Sequence, residues 1–365
     1  MPIDEKIITP EVLNNTLKQE VYPEIKVLNP PKMGKVRTVY DIGDNKMIMI
    51  SSDNLSTHDV VHKRQVYGKG ENLDAISSNY FEKTKNIIGN HFLENLAPNA
   101  WLLQKANPIL VEMVFRGYLT GSGWKAYDEA AGPVIGMEFC GVDLRPDYKK
   151  NEKLDDIIFT PTAKGRVMDF NIPEFRDIVD KANSLKDKYD ALVGDDPKLS
   201  IDIIKRNYKE FGLRKQEDLN FVIDAASKLY NFIHADLESK GYLLADTKWE
   251  FGYLADGSIG LIDECVTPDS SRFWNKEKYK LDSGKNEFTI VQDDKQHFRD
   301  YIEKLGLHKN KKALAEHWMD DEVLKEGVIK YCNISETITG TLPEITTAPR
   351  KEIILETLAK GGYLK

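Results

Sequence analysis

The hydrophobic and polar residues of the chain repeat with two different periods, and each period predicts a different kind of element. Residues 36–41 and 47–51 are strand-like segments on either side of a turn at residues 43–45, which predicts a β-hairpin. Residues 73–88 place their apolar side chains near one helical face, and Gly89 is the expected C-cap of that helix.

The same contrast continues further along the chain. Residues 101–117 are rich in Leu, Ile and Val and predict strands that are interrupted at Pro108. The apolar residues between positions 215 and 240 keep helical spacing, and Gly241 ends the predicted helix.

The remaining segments are less regular. Residues 1–30 are interpreted as an N-terminal arm with one short helix, and residues 132–173 as loop with short strands. After about residue 281 the chain is expected to be mostly helical. Because strands and helices are segregated along the chain more than they alternate, the predicted fold class is α+β.

Composition excludes several classes of protein. The chain has 365 residues, 41% apolar and 30% charged, which is typical of a soluble globular protein of two or three domains. Its net charge of −8 disfavours a general binder of nucleic acid or of anionic membranes. We expect no membrane span, because no apolar stretch approaches roughly 18 residues, and no secretory signal, because the N-terminus carries acids early and has no apolar h-region. Three widely spaced cysteines suggest neither disulfides nor a metal site, so a cytoplasmic setting is expected.

The clearest candidate chemistry lies in a predicted hairpin that brings two carboxylates together. Two strand-like segments flank Asp256 and Gly257, a two-residue turn signal that sets Glu250 directly opposite Asp263. Like charges at opposed positions destabilise a sheet, so the pair calls for a cation, and Mg²⁺ with a substrate phosphate fits two carboxylates. Lys248, on the same face as Glu250, either supplies charge for a phosphate or screens the acids on a solvated polar face.

Basic residues beside glycines form two further candidate anion sites. Gly34 is followed by Lys35 and Arg37 on one face of a strand, which suits a phosphate and equally a solvated edge strand. Arg116 ends an apolar strand and precedes Ser122 in a glycine-rich loop. That arrangement suits an anion, and it also suits a strand-to-helix turn capped by Ser122.

A turn that follows the second carboxylate crowds acid, hydroxyl and guanidinium groups together. Asp269, Ser270, Ser271 and Arg272 come shortly after Asp263. They either continue the same site or cap a helix and leave the guanidinium solvated.

Taken in order, these segments resemble the SAICAR synthetase family, the phosphoribosylaminoimidazole-succinocarboxamide synthases of purine synthesis. The segments that carry the resemblance are GKVRTVY (34–40), DNLSTHD (53–59), VEMVFRGYLTGS (111–122), LADTKWEFG (244–252), DE (263–264), PDSSRFW (268–274) and DKQHFRD (294–300). Each motif is weak singly, whereas the ordered set across residues 34–300 is specific.

The resemblance implies a fold with a small β-rich ATP-binding lobe and a larger α+β lobe. We therefore expect domains at residues 1–110 and 111–280, with a mostly helical extension at 281–365 packed on the second lobe. The implied enzyme uses ATP and Mg²⁺ to join L-aspartate to the carboxylate of carboxyaminoimidazole ribonucleotide, through an acyl phosphate. Phosphoryl transfer depends on positioning and charge neutralisation and needs no protein nucleophile. This agrees with the lack of a recognisable Ser-His-Asp triad or Cys-His dyad in the sequence.

The resemblance also implies roles for individual residues. The residues expected to contact ATP are Lys35, Val36, Arg37, Glu112, Lys164 and Lys248. The residues expected to bind substrate are Asp59, Arg116, Ser122, Arg272, Lys295 and Arg299. The expected catalytic residues are Lys248, Asp246 and Asp269, and the expected metal ligands are Glu250 and Asp263.

The chain also departs from the family pattern. The His-Asp that family members commonly carry after the lysine at position 164 is best matched here by Met168 and Asp169. Short bacterial members have one residue fewer between Glu264 and Pro268, and this chain has additional N-terminal and C-terminal segments.

The sequence also bears on three alternative functions. A protein kinase is disfavoured because neither His-Arg-Asp nor Asp-Phe-Gly occurs in the chain. A paralogous carboxylate–amine ligase with another substrate stays open. A non-catalytic nucleotide-binding module is expected to lose a metal-binding acid, yet both Glu250 and Asp263 are present.

Overall fold

A computed structural model describes residues 3–58, 60–165, 170–173, 175, 199–292 and 295–365 of the chain. The strands of this part are β1 (Lys32–Met33), β2 (Arg37–Gly43), β3 (Lys46–Ser51), β4 (Ser56–Thr57), β5 (Val60–Val61), β6 (Phe92–Ala97), β7 (Ala100–Gln104), β8 (Asn107–Pro108), β9 (Val111–Tyr118), β10 (Met137–Phe139), β11 (Val142–Leu144), β12 (Lys153–Phe159), β13 (Thr162–Ala163), β14 (Tyr242–Tyr253), β15 (Ile259–Ile262), β16 (Ser271–Asn275), β17 (Lys280–Asp282) and β18 (Glu287–Thr289). The helices are α1 (Pro10–Asn14), α2 (Lys69–Thr84), α3 (Gly121–Glu129), α4 (Gly132–Ile135), α5 (Ile201–Arg206), α6 (Glu217–Ser239), α7 (Gln296–Lys304), α8 (Lys311–Glu316), α9 (Asp321–Thr339) and α10 (Arg350–Lys360).

The first sheet has the strand order β1-β2-β3-β7-β6 and confirms the predicted N-terminal hairpin. Gly43 pairs with Lys46, so the loop between β2 and β3 consists of Asp44 and Asn45. Both loop residues have positive φ, 48° and 57°, as in a type I′ turn. This turn is favoured in hairpins because its twist matches that of the strands.

β14 is the central strand of the second sheet, whose main order is β12-β9-β14-β15. The first half of β14 pairs with β9 and β16, and its second half pairs with β15 and β8. Trp249 and Phe251 are buried in the main hydrophobic core, together with residues of α6. Because side chains alternate along a strand, Asp246, Lys248 and Glu250 share the opposite face.

The α+β class is confirmed, and the long helix predicted at 215–240 is α6. Its buried stripe consists of Leu219, Val222, Ala226, Leu229, Ile233 and Leu237. The helix predicted at 73–88 is α2, but it ends at Thr84 and Gly89 is not its cap. The Gly89 carbonyl instead accepts a hydrogen bond from the N–H of Leu261 at 2.9 Å, so pairing with β15 draws this stretch out of the helix. No helix in the described part of the chain is both long and apolar enough to cross a membrane.

The C-terminal segment packs differently from the expectation that it would cover the second lobe. Helices α9 and α10 contact mainly elements of residues 1–110. Leu324 and Val328 of α9 share a hydrophobic cluster with Leu73 of α2. Ile354 of α10 shares another with Ile48 of the first sheet. The helical pattern of the segment predicts an apolar face but carries no information about which surface that face will cover.

One glycine of α9 lies where its neighbour leaves no room for a side chain. A Cβ on Gly327 would lie 2.1 Å from Cζ of Phe298, a fully buried ring of α7. Replacing a helical glycine by alanine normally stabilises a protein by about 1 kcal/mol. Here we expect Gly327→Ala to lower the free energy of unfolding by about 1–3 kcal/mol, because the ring must move.

Thermal unfolding measures this change as a lower Tm. The double variant Gly327→Ala/Phe298→Leu should recover part of the loss, because the smaller side chain makes room for the methyl group. A single variant at least as stable as the wild type would contradict the packing of α7 against α9.

Candidate active site

A cleft of about 940 Å³ lies between residues 34–37, which we call the glycine turn, the polar face of β14 and the start of α7. Its lining includes many of the residues predicted from sequence: Lys35, Val36, Arg37, Lys164, Lys248, Glu250, Asp263, Asp269, Arg272, Lys295 and Arg299. A smaller cavity of about 180 Å³ adjoins it and is bordered by Asp246, Asp269 and Arg272. The fold therefore gathers side chains from distant segments into one place.

Other predicted residues lie beside the cleft or outside the described part of the chain. Glu112 and Arg116 are buried in β9, and Ser122 is exposed in the first turn of α3; none of the three lines the cleft. Asp59 lies outside the described residues. So do residues 166–169, where the chain departs from the family pattern.

The glycine turn is held by side chains of the segment that follows β3. Ser52 donates a hydrogen bond from Oγ to the carbonyl oxygen of Val36 at 2.7 Å. Asn54 donates from Nδ2 to the carbonyl oxygen of Lys35 at 3.1 Å. These two bonds fix the backbone of the turn, and the side chains of Lys35 and Arg37 line the cleft.

Arg37 connects the first sheet to the end of β15. Its Nη1 lies 3.0 Å from Oδ1 of Asp263, and its Nη2 lies 2.7 Å from Oε2 of Glu264. Burial opposes the charge of the guanidinium, but Glu264 and Asp263 outweigh it and raise the pKa of Arg37 above its usual range. Arg37 is thus a permanent cation that links the two sheets at the cleft.

The hairpin that carries the two candidate carboxylates has a different register from the predicted one. Glu250 pairs with Ile262, and Asp263 lies just beyond the strand with a φ of 63°. The loop holds three residues and not two, with Gly257 at a φ of 86°. A loop longer by one residue shifts every pair by one, so the prediction that Glu250 directly faces Asp263 was wrong.

Glu250 and Asp263 still influence each other across the cleft. Burial and the charge of Asp263 raise the pKa of Glu250, while Lys164, its ion-pair partner, opposes the rise. Burial also disfavours the charged form of Asp263, but Arg37 and Lys164 hold the pKa of Asp263 below its usual range. Two like charges are therefore kept close together by surrounding cations.

This donor set fits a magnesium ion that is shared with a phosphate. Mg²⁺ prefers oxygen ligands and is commonly held by one or two carboxylates together with substrate phosphates. Glu250 and Asp263 supply such carboxylates. In the described part of the chain, no group of three or more His, Cys, Asp or Glu side chains could hold a metal ion by itself.

Lys248 is supported from β9. It forms an ion pair with Glu112, and Thr162 donates from Oγ1 to the other carboxylate oxygen of Glu112 at 2.9 Å. Glu112 is thus engaged beside the cleft by a cation and a hydroxyl group, whereas the resemblance implies a position near an adenine. Its observed contacts orient Lys248.

Asp246 accepts hydrogen bonds from two arginines. Arg116 donates from Nη1 to Oδ2 of Asp246 at 2.8 Å, and Arg272 donates to the same oxygen. Arg116 also donates to Thr160 at 2.9 Å and to Ser122 at 3.1 Å. Burial lowers the pKa of Arg116 and Asp246 opposes that effect. Arg116 therefore organises the loop before α3, while Arg272 reaches the cleft.

The close approach of this loop to Arg272 requires a glycine. Gly121 has a φ of 55°, in the left-handed region. A Cβ there would lie 2.5 Å from Nη2 of Arg272. The glycine-rich loop singled out in the sequence is therefore shaped to lie against a guanidinium.

Asp269 is surrounded by the predicted Lys295 and by two groups that sequence reasoning did not find. Lys69 of α2 is fully buried and donates to Oδ2 of Asp269 at 2.7 Å, and Tyr331 of α9 donates to Oδ1 at 3.1 Å. Nζ of Lys295 lies 3.8 Å from Oδ2. Burial opposes ionisation, but Lys295 and Lys69 hold the pKa of Asp269 well below its usual range. Asp269 is thus a fixed anion and not a proton acceptor at neutral pH.

Further side chains at the cleft also escaped prediction. His58 and Glu303 line it, with Nε2 and Oε1 3.4 Å apart. Asp74, which is buried and does not line the cleft, has its pKa raised by burial to about 7, although the charge of Arg37 opposes the rise. His58 lies inside a family motif, which was a usable signal. Lys69 and Tyr331 lie on helices whose amphipathic pattern does not distinguish them from other buried positions.

Known proteins match this chain over most of its length. Residues 31–315 match the family model described as SAICAR synthetase. The phosphoribosylaminoimidazole-succinocarboxamide synthase of Methylobacillus flagellatus is 31% identical over 334 residues, which is 88% of this chain and 97% of the relative. The synthase of the same name from Neisseria meningitidis serogroup B is 34% identical over 313 residues, which is 82% of this chain and 93% of the relative.

A solved structure shares the fold. The SAICAR synthase from Saccharomyces cerevisiae, complexed with SAICAR, superposes with a TM-score of 0.67 at 25% identity and covers 90% of this chain and 99% of its own. The family match includes the glycine turn, β14 and the start of α7, which are the elements that form the cleft. The chain therefore belongs to the SAICAR synthetase family, as its ordered motifs indicate.

Proposed function

We propose that this chain joins L-aspartate to the carboxylate of carboxyaminoimidazole ribonucleotide with consumption of ATP, and that Mg²⁺ takes part. The products are the succinocarboxamide, ADP and phosphate. The observation that carries the proposal is the composition of one cleft. It holds a carboxylate pair suited to Mg²⁺, phosphate-binding cations on a glycine turn, and a separate basic group around Asp269.

The ATP phosphates bind against the glycine turn in this proposal. Lys35 and Arg37 supply positive charge there, with Val36 between them in the lining. Lys164 forms an ion pair with Glu250, and Lys248 forms one with Glu112 of β9. In this proposal both lysines turn toward the phosphates when ATP binds. Such groups act by positioning and charge neutralisation, as phosphoryl transfer requires.

Glu250 and Asp263 are the proposed magnesium ligands. They would hold the ion together with the ATP phosphates, and it would supply positive charge that neutralises the phosphoryl group during transfer. Arg37 and Lys164 now neutralise the same carboxylates. Each lowers the pKa of the carboxylate that it faces, in a site where burial raises it, and so favours the charged form that binds a cation.

The ribonucleotide binds at the basic residues near Asp269, which are Arg272, Lys295 and Arg299. Arg272 lines the cleft and contacts its phosphate, whereas Arg116 and Ser122 shape the loop behind that contact. Lys295 and Arg299 face the carboxylates of the substrates. Asp59, which lies outside the described residues, is proposed from its motif alone as a further substrate-binding residue.

The proposed chemistry needs no protein nucleophile. A carboxylate oxygen of the ribonucleotide attacks the γ-phosphorus of ATP, and ADP leaves. The amine of aspartate then attacks the acyl carbon, the amide bond forms, phosphate leaves, and the nitrogen loses a proton. Lys248 neutralises charge on the transferred phosphoryl group, while Asp246 and Asp269 orient their basic neighbours and the incoming amine.

The direct test is to mix the pure protein with ATP, Mg²⁺, L-aspartate and carboxyaminoimidazole ribonucleotide. We expect ADP and the succinocarboxamide to form in equal amounts. L-Glutamate in place of aspartate is the matched control and should give neither. ADP release that does not depend on aspartate would favour a paralogous ligase, and tight nucleotide binding without any turnover would favour a non-catalytic module.

Removing either proposed magnesium ligand should stop catalysis without unfolding the protein. We expect Glu250→Gln and Asp263→Asn to lower turnover by on the order of 100-fold or more. Glu250→Gln also frees Lys164, so this variant should bind metal-free ADP at least as tightly as the wild type does. Steady-state kinetics and calorimetric ADP titration in EDTA measure the two effects.

The control is Asp256→Asn, an acid-to-amide change in the exposed loop of the same hairpin. It should leave both turnover and ADP affinity unchanged. Near-normal turnover of Glu250→Gln and Asp263→Asn at limiting Mg²⁺ would remove these residues from the metal site.

Removing the guanidinium of Arg272 should weaken the ribonucleotide specifically. A hydrogen bond to a charged group is worth about 1.5–3 kcal/mol, so Arg272→Ala should raise the ribonucleotide KM roughly tenfold to a hundredfold. The KM for ATP should stay within about twofold. Arg145→Ala, which removes an exposed arginine paired with Glu152 and Asp155, is the control. Equal effects of Arg272→Ala on both KM values would place Arg272 outside the ribonucleotide site.

A further inference from the structure

Arg350, the first residue of α10, is a buried arginine with several acceptors. Its Nη1 donates to Oδ2 of Asp53, and its Nη2 donates to Oδ1 of Asn99 at 2.7 Å and to Oε2 of Glu71 at 3.4 Å. Only 7% of the residue is exposed. Arg350 lies beyond residues 31–315, the part that matches the family model, and does not line the cleft.

Asp53 is completely buried and uses both of its oxygens. Besides Arg350, it accepts from the N–H of Leu17 at 2.9 Å and from the N–H of Gly70 at 3.0 Å. A carboxylate this deep needs a cation, because an uncompensated buried charge is strongly destabilising. Arg350 supplies that cation, and Asp53 anchors its segment of chain through this ion pair.

The neighbours of Asp53 in sequence are the residues that hold the glycine turn. Ser52 donates to the carbonyl of Val36, and Asn54 donates to the carbonyl of Lys35. A displacement of Asp53 would move both donors, because they are joined to it by peptide bonds. The first residue of α10 is thus connected to the cleft through one buried ion pair and the side-chain hydrogen bonds of Ser52 and Asn54.

Asn99 ties the other side of the same segment to Arg350. Its Nδ2 donates to the carbonyl of Ser51 at 2.9 Å, and the N–H of Ser51 donates to the Asn99 carbonyl at 2.8 Å. The planar guanidinium reaches Asp53 and Asn99 together, as its fork of donors permits. Residues 51–54 are therefore fixed at two points by one side chain.

We propose that Arg350 is a positioning residue for ATP, and that α10 braces residues 51–54 so that the glycine turn keeps its nucleotide-binding geometry. The inference rests on the proposed nucleotide site at that turn. It gives the C-terminal segment a part in substrate binding although its helix lies behind the first sheet. A preorganised turn binds more tightly because less of the binding energy is spent on ordering it.

The test compares two variants of Arg350 with a matched change on the same helix. Arg350→Met keeps the apolar stem and removes the guanidinium, whereas Arg350→Lys keeps the charge beside Asp53 but loses the fork to Asn99. Ile354→Ala removes a buried apolar side chain of α10 and no hydrogen bond to Asp53 or Asn99. Full-length proteins are measured for Tm, for the Kd of ADP, and for the KM of ATP and of aspartate.

We expect Arg350→Met to raise the Kd of ADP and the KM of ATP by about tenfold. This factor corresponds to a glycine turn that adopts its binding-competent geometry about one tenth of the time. Arg350→Lys should lie between this variant and the wild type. Ile354→Ala should lower Tm while leaving the Kd of ADP within about twofold. The KM of aspartate should stay unchanged in all three variants.

If Arg350→Met does not fold, Arg350→Lys and Asn54→Ala decide the question. Asn54→Ala removes the contact to the turn and leaves the ion pair intact, so it should also weaken ADP. Unchanged ADP affinity in both variants, or an equal loss in Ile354→Ala at equal Tm, would overturn the brace. A wild-type protein that binds no ADP would instead overturn the proposed nucleotide site, and the brace with it.

Discussion

The cleft depends on β14 being hydrogen-bonded along both of its edges. Pairing with β9 and β16 on one half and with β15 and β8 on the other fixes the register of the strand. Its alternation then sends Trp249 and Phe251 into the core and places Asp246, Lys248 and Glu250 on the opposite face. Burial of the aromatic side chains therefore fixes the position of the polar ones.

Charge compensation is the second constraint, and it acts over long sequence separations. Buried acids cost free energy unless a cation lies beside them. Asp246 forms ion pairs with Arg116 and Arg272, and Asp269 forms one with Lys69. Asp263 and Glu264, which follow β15, both pair with Arg37. These ion pairs bring together segments from both sheets and from α2. A chain with a net charge of −8 thereby keeps a positive lining where anionic ligands are proposed to bind.

Sequence patterns predicted the structure correctly where interactions between residues that are close in sequence decide it. The type I′ turn at residues 44–45 and the buried stripe of α6 follow from two-residue and 3.6-residue regularities that can be counted in the sequence. The second hairpin was also found, but its register was not. Whether Asp256 and Gly257 form a two-residue loop or the end of a three-residue loop depends on which flanking side chains pack best in the core. That choice moved Asp263 out of the strand.

The residues of the candidate site likewise fall into those that the sequence predicts and those that it does not. Ordered motifs identified the glycine turn, the acids of β14 and the basic residues near Arg272, because these residue types follow each other at short spacing. Lys69, Tyr331 and Arg350 carry no such signal, since each lies in an ordinary amphipathic helix and becomes important only through a partner far away in sequence.

The sequence by itself thus determined the class of fold, the family and the identity of most residues that line the cleft. These properties depend on short-range periodicity and on motif order, which folding leaves intact. Only the tertiary structure decided which surface the C-terminal helices cover, which cation meets each buried acid, and how the two carboxylates are set. Those outcomes depend on long-range packing, in which one-residue shifts of register and the choice between apolar faces are settled by the whole core at once.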